Sequence, residues 1–302
     1  MKTTSLGVAI VAPAGYLPDP AAAERGIAYL EARGCRVHNY YDHNAIHQRF
    51  GGTDAARLAA LYAAAENPDV DLVMAVRGGY GLTRLMPAID FARLAAGGKL
   101  FVGYSDITAL QMGLYAKTGA LSYAGPFAAA DFGAAEPVAF TQDDFWACLA
   151  GPTHTIVESA SGNPRVEASG TIWGGNLAML VSLIGTEWFP RIENGILFVE
   201  DIAEHPYRVE RMLLQLMQAG VLGRQQALVL GDFSGYRLGP MDNGYDFEAM
   251  LAYLRQTLPI PVITGLSFGH IPRRVTIPFG AQATLLSNEE GFRLTMSGYP
   301  TR

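Results

Sequence analysis

The sequence predicts an α/β fold, with a Rossmann-like N-terminal domain built on a parallel sheet and a β-rich, barrel-like C-terminal domain. In the first half of the chain, short apolar runs alternate with helical patterns, as they do in a parallel sheet covered by helices. Near the end, short strand patterns follow one another closely, which is typical of a small antiparallel or barrel-like sheet. Between these halves the periodicity fades, so we expect domains at residues 1–150 and 165–302.

The length, charge and cysteine content of the chain exclude several classes of protein. The chain has 302 residues, of which 50% are hydrophobic, so it can bury a large core and form two domains. Its net charge is −6 and it has no basic run, which argues against a nucleic-acid partner. Cys35 and Cys148 form no Cys-x-x-Cys pair, which favours a reducing compartment and excludes a cysteine-based zinc site. We therefore expect a cytoplasmic, globular protein.

The N-terminus carries an apolar run at residues 6–12 that follows Lys2 and ends in an Ala-x-Ala pattern. This run is at the lower length limit of a signal peptide and only one positive charge precedes it, so we interpret it as a first buried strand. No other apolar run approaches the roughly 20 residues that a membrane span needs. The sequence therefore predicts no membrane partner.

Start and stop signals define the elements of the first half. Asp19 and Pro20 predict the start of a helix that Gly34 ends, and Thr53 predicts the cap of the next helix. Pro87 predicts a break in a further helical region. Strands are predicted at residues 6–11, 36–40, 71–76, 99–104 and 121–124, and helices at residues 54–66, 82–95 and 107–117.

The second half mixes strand and helix patterns. A short helix near residues 143–149 precedes a connection at residues 151–164 that is rich in glycine and proline. Beyond it, strands are predicted at residues 166–172, 196–199, 227–230, 262–264, 275–277, 281–286 and 292–296, and helices near residues 177–184, 208–219 and 247–257.

Residues 99–110 predict a buried strand, an abrupt turn and a helix, with Ser105 at the turn. A hydroxyl at such a corner stands clear of the sheet, and the helix that follows directs free N–H groups and a positive dipole end towards it. The turn lacks the second glycine of the common Gly-x-Ser-x-Gly pattern, so Ser105 or Asp106 could equally be the cap of helix 107–117. A glycine cluster, residues 78–81, ends the preceding strand, where α/β sheets place ligands.

A serine nucleophile needs a base and a carboxylate that orients the base. Of the six histidines, His270 stands out because it follows a buried strand in a loop that Gly269 and Pro272 restrict. Glu200 is the matching carboxylate, since it ends an apolar strand where a charge needs a partner. His43 and His47 are spaced for one helix face, but no Glu follows His43 as in a zinc peptidase, so we expect no metal there.

Five motifs in order resemble the LD-carboxypeptidase family of serine peptidases, over nearly the whole chain. They are Arg77-Gly-Gly-Tyr-Gly81, Gly103-Tyr-Ser-Asp106, Trp173-Gly-Gly-Asn-Leu177, Phe198-Val-Glu-Asp201 and Gly269-His-Ile-Pro-Arg273. The resemblance implies a nucleophile, an orienting carboxylate and a general base carried by Ser105, Glu200 and His270. It also implies an oxyanion hole from the backbone N–H groups of Gly79 and Asp106, and no metal or other cofactor.

Three further residues are expected to contact substrate. A carboxypeptidase must receive the terminal carboxylate of its substrate, and Arg77, at the end of a buried strand, can bind a carboxylate bidentately. The alternative is that Arg77 pairs with an internal acid and only braces the loop. Tyr80 and Asn176 lie in the same motifs and complete the predicted substrate-binding set, and we expect a homodimer.

The family resemblance implies two possible substrates. Members of this length resemble murein tetrapeptide carboxypeptidases, which remove the terminal D-alanine from an L-to-D peptide bond in cell-wall recycling. Another branch resembles microcin C self-immunity proteins, which cleave a peptidyl-nucleotide and stack its base on an aromatic side chain of an added loop. No such loop is evident, and Trp173 and Trp188 fit core or motif positions, so murein peptide is the preferred substrate. A non-catalytic α/β ligand-binding protein is a third alternative, although residues 78–81 lack the spacing of a phosphate loop.

Overall fold

The computed structural model describes residues 5–302, and Lys2 lies outside the described residues. Strands and helices alternate in the first half: β1 (Gly7–Val11), α1 (Pro20–Ala32), β2 (Arg36–Asn39), α2 (Asp54–Glu66), β3 (Leu72–Ala75), α3 (Leu82–Leu85), α4 (Phe91–Ala96), β4 (Leu100–Gly103), α5 (Ile107–Thr118), β5 (Ser122–Ala124) and α6 (Ala139–Ala150). The second half is richer in strands: β6 (Thr153–Ser159), β7 (Val166–Asn176), α7 (Leu177–Ser182), β8 (Gly195–Ile202), α8 (Pro206–Gln218), β9 (Gln225–Ser234), α9 (Phe247–Thr257), β10 (Val262–Ile263), β11 (Ile277–Phe279), β12 (Gln282–Asn288) and β13 (Gly291–Ser297).

The first sheet has six strands in the order β11-β5-β4-β3-β1-β2. All neighbours are parallel except β11, which pairs antiparallel with β5. Strands β1, β3 and β4 are buried along their whole length, as expected for central strands with helices on both faces. The α/β class and the Rossmann-like parallel sheet are therefore confirmed.

The helix starts and breaks follow the sequence signals. The Asp19 carboxylate accepts the Ala21 N–H at the start of α1, and the Thr53 hydroxyl accepts the Ala56 N–H at the start of α2. Pro87 lies in a 3₁₀ turn between α3 and α4, which is the predicted break.

The second sheet has seven strands in the order β10-β9-β8-β7-β12-β13-β6. Its long strand β7 pairs antiparallel with β12 along residues 166–171 and parallel with β8 along residues 172–176. A parallel half and an antiparallel half are thus joined through one strand. Because β10 and β6 lie at opposite edges of this order, the sheet is open rather than closed into a barrel.

Two segments differ from the sequence prediction. The connection expected at residues 151–164 contains β6, which pairs with β13 from Thr153 to Ser159. The strand expected at residues 275–277 is β11, and it joins β5 of the first sheet instead of the terminal strands. Local patterns carry no information on partners more than 100 residues away, so both pairings escaped the sequence analysis. The division at 1–150 and 165–302 stays a prediction, and β11 crosses it.

Helix α5 lies between the two sheets. Residues 107–114 are all buried, and all but Thr108 and Gln111 are apolar or glycine, as expected for a helix covered on every side. It contacts β4 and β5 of the first sheet, and β7 and α7 of the second half. The turn before α5 therefore lies where the two halves of the molecule meet. Among residues 5–302, no helix combines the length and apolar character that a membrane crossing requires.

Candidate active site

Ser105 occupies the turn between β4 and α5 with φ of 57°. Non-glycine residues adopt this left-handed region uncommonly, and such strain is concentrated at functional sites. The Gly78 backbone packs directly against it, because a Cβ added at Gly78 would lie 2.9 Å from the Ser105 Cβ. The glycine loop after β3 and the serine turn after β4 are therefore in contact at the carboxyl edge of the first sheet.

Ser105, His270 and Glu200 form one hydrogen-bonded chain. The Ser105 Oγ lies 3.1 Å from the His270 Nε2, and the His270 Nδ1 lies 2.8 Å from the Glu200 Oε2. Glu200 is fully buried in β8, whereas the side chain of His270 is 18% exposed. The three residues come from both halves of the chain and meet in the geometry of a nucleophile, a base and an orienting carboxylate.

Neither Ser105 nor Asp106 caps α5 through its side chain. The Asp106 side chain makes no capping hydrogen bond to α5, and its Oδ2 instead accepts the Leu82 N–H at 2.8 Å. Burial raises the pKa of Asp106 from 3.8 to about 7, partly offset by the hydrogen bond from Leu82 and the charge of Arg57. The Asp106 carboxyl group thus ties the serine turn to the residues that follow the glycine loop.

Asn176 lies beneath the carboxylate of Glu200. Its Nδ2 donates to the Glu200 Oε1 at 3.2 Å and to the Asp201 Oδ1 at 3.0 Å. Its Oδ1 accepts the Met179 N–H at the start of α7, so the amide orientation is determined by three partners. Burial raises the pKa of Asp201 from 3.8 to about 6, opposed by hydrogen bonds from Ala178 and Asn176 and reinforced by the charge of Glu200.

The predicted oxyanion donors, the backbone N–H groups of Gly79 and Asp106, lie in the two loops that meet at Ser105. Gly79 has φ of 85°, which glycine adopts without strain, and it immediately follows Gly78 at the serine turn. Within residues 5–302, neither the Gly79 nor the Asp106 N–H donates a backbone hydrogen bond. Asp106 also stands at the N-terminal end of α5, where the helix dipole favours negative charge.

The predicted substrate residues lie in different environments. Arg77 is half-buried, and its Nη1 donates to the Tyr16 carbonyl at 2.7 Å. Among the described residues Arg77 forms no ion pair with an acid. Tyr80 is 45% exposed, and the Arg49 guanidinium lies 5.7 Å from its ring centroid. Asn176 is buried with both amide hydrogens directed to carboxylates, so it lies behind Glu200.

The structure also shows residues that the sequence analysis missed. Arg274 and Asp131 form a buried ion pair with Nη1–Oδ1 at 2.8 Å, next to the loop that carries His270. The sequence does contain a signal for this ion pair. It is the aspartate in the apolar segment Pro-Phe-Ala-Ala-Ala-Asp-Phe, because a buried charge requires a partner. His43 lies in a turn and His47 in an isolated β-bridge to Phe50, so neither is on a helix, and no group of three metal-ligating side chains occurs in the described part of the chain.

A serine, a histidine and a buried carboxylate joined in this way are the arrangement of enzymes that hydrolyse acyl bonds. Sequence comparison assigns the family. The chain belongs to the LD-carboxypeptidase family, whose N-terminal domain matches residues 8–125 and whose C-terminal domain matches residues 169–285.

Relatives of known structure or name cover almost the whole chain. The crystal structure of muramoyltetrapeptide carboxypeptidase from Oxalobacter formigenes is 50% identical, with a TM-score of 0.93 over 98% of this chain and 100% of that chain. The murein tetrapeptide carboxypeptidase of Pseudomonas aeruginosa is 29% identical over 93% of each protein. The microcin C7 self-immunity protein MccF of Escherichia coli is 28% identical, over 90% of this chain and 87% of that protein.

Proposed function

We propose that this protein is a serine-type LD-carboxypeptidase that releases the terminal D-alanine from murein tetrapeptide. The observation that carries the proposal is the chain of hydrogen bonds from Ser105 through His270 to Glu200, beside the Gly78–Gly79 backbone. Family membership and the 50% identical muramoyltetrapeptide carboxypeptidase support the substrate.

In the first half of the reaction, the His270 Nε2 removes the hydroxyl proton while the Ser105 Oγ attacks the carbonyl carbon of the scissile bond. The carbonyl oxygen becomes negative and is held by the N–H groups of Gly79 and Asp106. When the C–N bond breaks, the imidazolium returns the proton to the amine of the departing D-alanine. The tripeptide stays bound to Ser105 as an ester.

In the second half, water replaces D-alanine at the His270 Nε2. His270 removes a proton from this water as the water attacks the ester, and the proton then goes to the Ser105 Oγ as the tripeptide leaves. Glu200 is fully buried 2.8 Å from the His270 Nδ1, so it keeps the proton on that nitrogen and stabilises the imidazolium. Removing one oxyanion donor typically costs about 3 kcal/mol of transition-state stabilisation, so the position of the Gly79 N–H contributes substantially to the rate.

Arg77 is the candidate for the substrate carboxylate. One of its nitrogens is held by the Tyr16 carbonyl, which fixes the guanidinium beside Gly79, with the Arg77 Nη2 3.5 Å from the position of an added Gly79 Cβ. The remaining N–H donors are available for a carboxylate. Tyr80, half-exposed beside the same loop, is placed to contact the peptide. Asn176 is proposed to act through Glu200 instead of through substrate.

The test is the release of terminal alanine from purified murein tetrapeptide, measured as the tripeptide product by liquid chromatography and mass spectrometry, which detects hydrolysis of either stereoisomer. We expect release from the tetrapeptide ending in D-alanine and little from the same peptide ending in L-alanine. Hydrolysis of the L-terminal peptide at an equal rate would contradict the LD assignment. A serine-reactive probe followed by intact mass separates an enzyme from a ligand-binding protein, which would stay unlabelled.

A peptidyl-nucleotide is the less well supported substrate. Neither tryptophan considered for base stacking is free to stack on a base: Trp173 is fully buried with its Nε1 donating to the Gln225 Oε1 at 2.8 Å, and Trp188 packs against the core. Murein peptide is therefore the substrate that we propose. A cytoplasmic location and a homodimer are part of the same proposal, and size-exclusion chromatography with light scattering tests the dimer.

A further inference from the structure

We propose that Arg274 is a positioning residue, which holds the imidazole of His270 in line with Ser105 by tying its loop to Asp131. This inference rests on the proposed role of His270 as general base. Among residues 5–302, the Arg274 side chain makes no hydrogen bond to Ser105 or Glu200, so its effect on the reaction would pass through His270.

Arg274 bonds to the backbone on both sides of His270. Its Nε donates to the Gly269 carbonyl at 2.6 Å, and its Nη2 donates to the Ile271 carbonyl at 2.8 Å. The Gly269 carbonyl belongs to the peptide group directly before the His270 α-carbon, and the Ile271 carbonyl lies one peptide group further along than the one directly after it. A rotation of the loop that moved the imidazole away from Ser105 would have to break at least one of these charged hydrogen bonds.

The same guanidinium is anchored in the first half of the chain. Its Nη1 lies 2.8 Å from both carboxylate oxygens of Asp131. Asp131 is itself held, because its Oδ2 accepts the Phe127 N–H at 2.7 Å, and it lies in a π-helical turn, Ala128–Phe132. Turns of this kind are frequent at functional sites.

An aromatic side chain forms a second connection between Arg274 and His270. The Arg274 guanidinium carbon lies 3.7 Å from the centroid of the Tyr104 ring, and the Tyr104 and His270 rings meet edge to face at 5.2 Å. Phe127 also stacks on the Tyr104 ring, with the two ring centroids 4.1 Å apart. Tyr104 immediately precedes Ser105, so the base, its support and the nucleophile form one packed unit.

Thr141 closes the loop at its far end. Its Oγ1 donates to the Pro272 carbonyl at 2.7 Å and accepts the Arg274 N–H at 2.8 Å. The backbone from Gly269 to Arg274 is therefore bonded at four of its six residues to side chains of buried groups. Such a loop has little freedom, which is what a base placed within 3.1 Å of its nucleophile requires.

A buried ion pair is weak evidence for a role in stability, so the alternative that Arg274 only stabilises the fold needs a direct test. The test is Arg274→Lys, which keeps the positive charge beside Asp131 but cannot reach both carbonyl groups. Arg273→Lys is the matched control, because Arg273 is exposed and lies over the Phe140 ring. We expect kcat for D-alanine release to fall about 10- to 100-fold in Arg274→Lys with KM changed less than about threefold, as misplacement of a catalytic group predicts.

A second measurement follows His270 itself. In wild-type protein the proton between the His270 Nδ1 and Glu200 should give a low-field NMR signal, which His270→Ala removes and Arg274→Lys broadens or shifts. In the His270→Ala background, Arg274→Lys should lower the residual rate less than about twofold, since it acts through His270. If Arg274→Lys does not fold, Asp131→Asn, which preserves the shape of the side chain, is measured in the same way.

The proposal is overturned if folded Arg274→Lys protein has a kcat within about twofold of wild type and its low-field NMR signal from His270 is unchanged. It is also overturned if Arg273→Lys lowers kcat as much as Arg274→Lys does. Wild-type protein that releases no D-alanine contradicts the proposed function, and the histidine signal still decides the role of Arg274 in that case.

Discussion

At the scale of single residues, the site combines backbone strain with tight packing. Ser105 has a positive φ and is flanked by Gly78 on one side and by the chain of His270 and Glu200 on the other. Its hydroxyl is not used to cap α5, although the sequence allowed that interpretation. The Ser105 hydroxyl is therefore positioned to bond with His270, which lies in the other half of the chain.

The proposed role of Arg77 in binding the terminal carboxylate of the substrate can be tested by mutation. If Arg77 receives the terminal carboxylate, wild-type enzyme should strongly prefer the free-acid tetrapeptide over the C-terminal amide. Arg77→Ala should lose most of that preference and keep its fold, since Arg77 has no acidic partner among the described residues. Rates of hydrolysis on both peptides measure this. A variant that loses activity equally on the two peptides would make Arg77 a structural residue.

Asp201 provides a pH-dependent prediction. Burial raises its pKa from 3.8 to about 6, so the folded protein favours the neutral acid. The stability that this preference contributes is fully present below pH 3.8 and is lost as pH rises through about 6. Asp201→Asn cannot ionise, so its stability relative to wild type should rise between pH 4 and pH 7, by at most about 3 kcal/mol.

Urea unfolding of wild type and Asp201→Asn at several pH values measures that difference. Subtracting the two curves removes the titration of all other groups. A difference that stays constant, or that falls with pH, would mean that Asp201 is not held as a neutral acid.

At this scale the sequence identified the residues with a chemical signature and missed those with a supporting role. Ser105, Glu200 and His270 stand at element ends in unusual local sequence, so local reasoning could find them. Arg274 and Asp131 are 143 positions apart, and their pairing depends on the fold. The contact between Asn176 and Glu200 was not predicted for the same reason, because Glu200 lies on the neighbouring strand.

At the scale of elements, the carboxyl ends of β3 and β4 determine the site. Both strands lie side by side in the first sheet, so the glycine loop and the serine turn that follow them are adjacent. Capping signals predicted α1 and α2 correctly because caps are local. The pairing of β11 with β5 was not predicted, because a three-residue strand carries no mark of its distant partner.

Contact between these two loops predicts the effect of Gly78→Ala. The new Cβ would lie 2.9 Å from the Ser105 Cβ and 3.0 Å from its Oγ, so the serine turn or the glycine loop must shift. We expect kcat for D-alanine release to fall about 100-fold with a small change in the unfolding midpoint. Gly223→Ala is the control, because an added Cβ there has nothing within 4 Å. Equal kcat in Gly78→Ala and wild type would show that close packing at Ser105 is not required.

At the scale of the whole molecule, two features join the halves of the chain into one site. Helix α5 packs between the halves, and β11 of the second half pairs with β5 of the first sheet. Helix α5 packs against both sheets, and the chain returns to the first sheet directly after the His270 loop. The Rossmann-like sheet and the strand-rich second half were predictable from periodicity. The way in which the two halves are joined was not predictable, since it depends on what packs against the buried residues 107–114 of α5.

This union predicts that neither half works alone. Residues 1–150 contain Ser105 but lack β11, His270 and Glu200, whereas residues 151–302 lack the nucleophile. Each fragment, purified separately, should release no D-alanine from the tetrapeptide. Hydrolysis by either fragment alone would contradict a site assembled from both halves.

The most direct test of the whole account is the rate of D-alanine release by wild type, Ser105→Ala, His270→Ala and the double variant. If Ser105 is the nucleophile and His270 its base, each single change should lower kcat by about 10⁴-fold or more, and the double variant should be no more than about tenfold worse than either single one, because the residues act as a unit. Circular dichroism of each variant establishes that the fold is kept. A folded Ser105→Ala or His270→Ala variant that retained a tenth of the wild-type kcat would contradict the assignment.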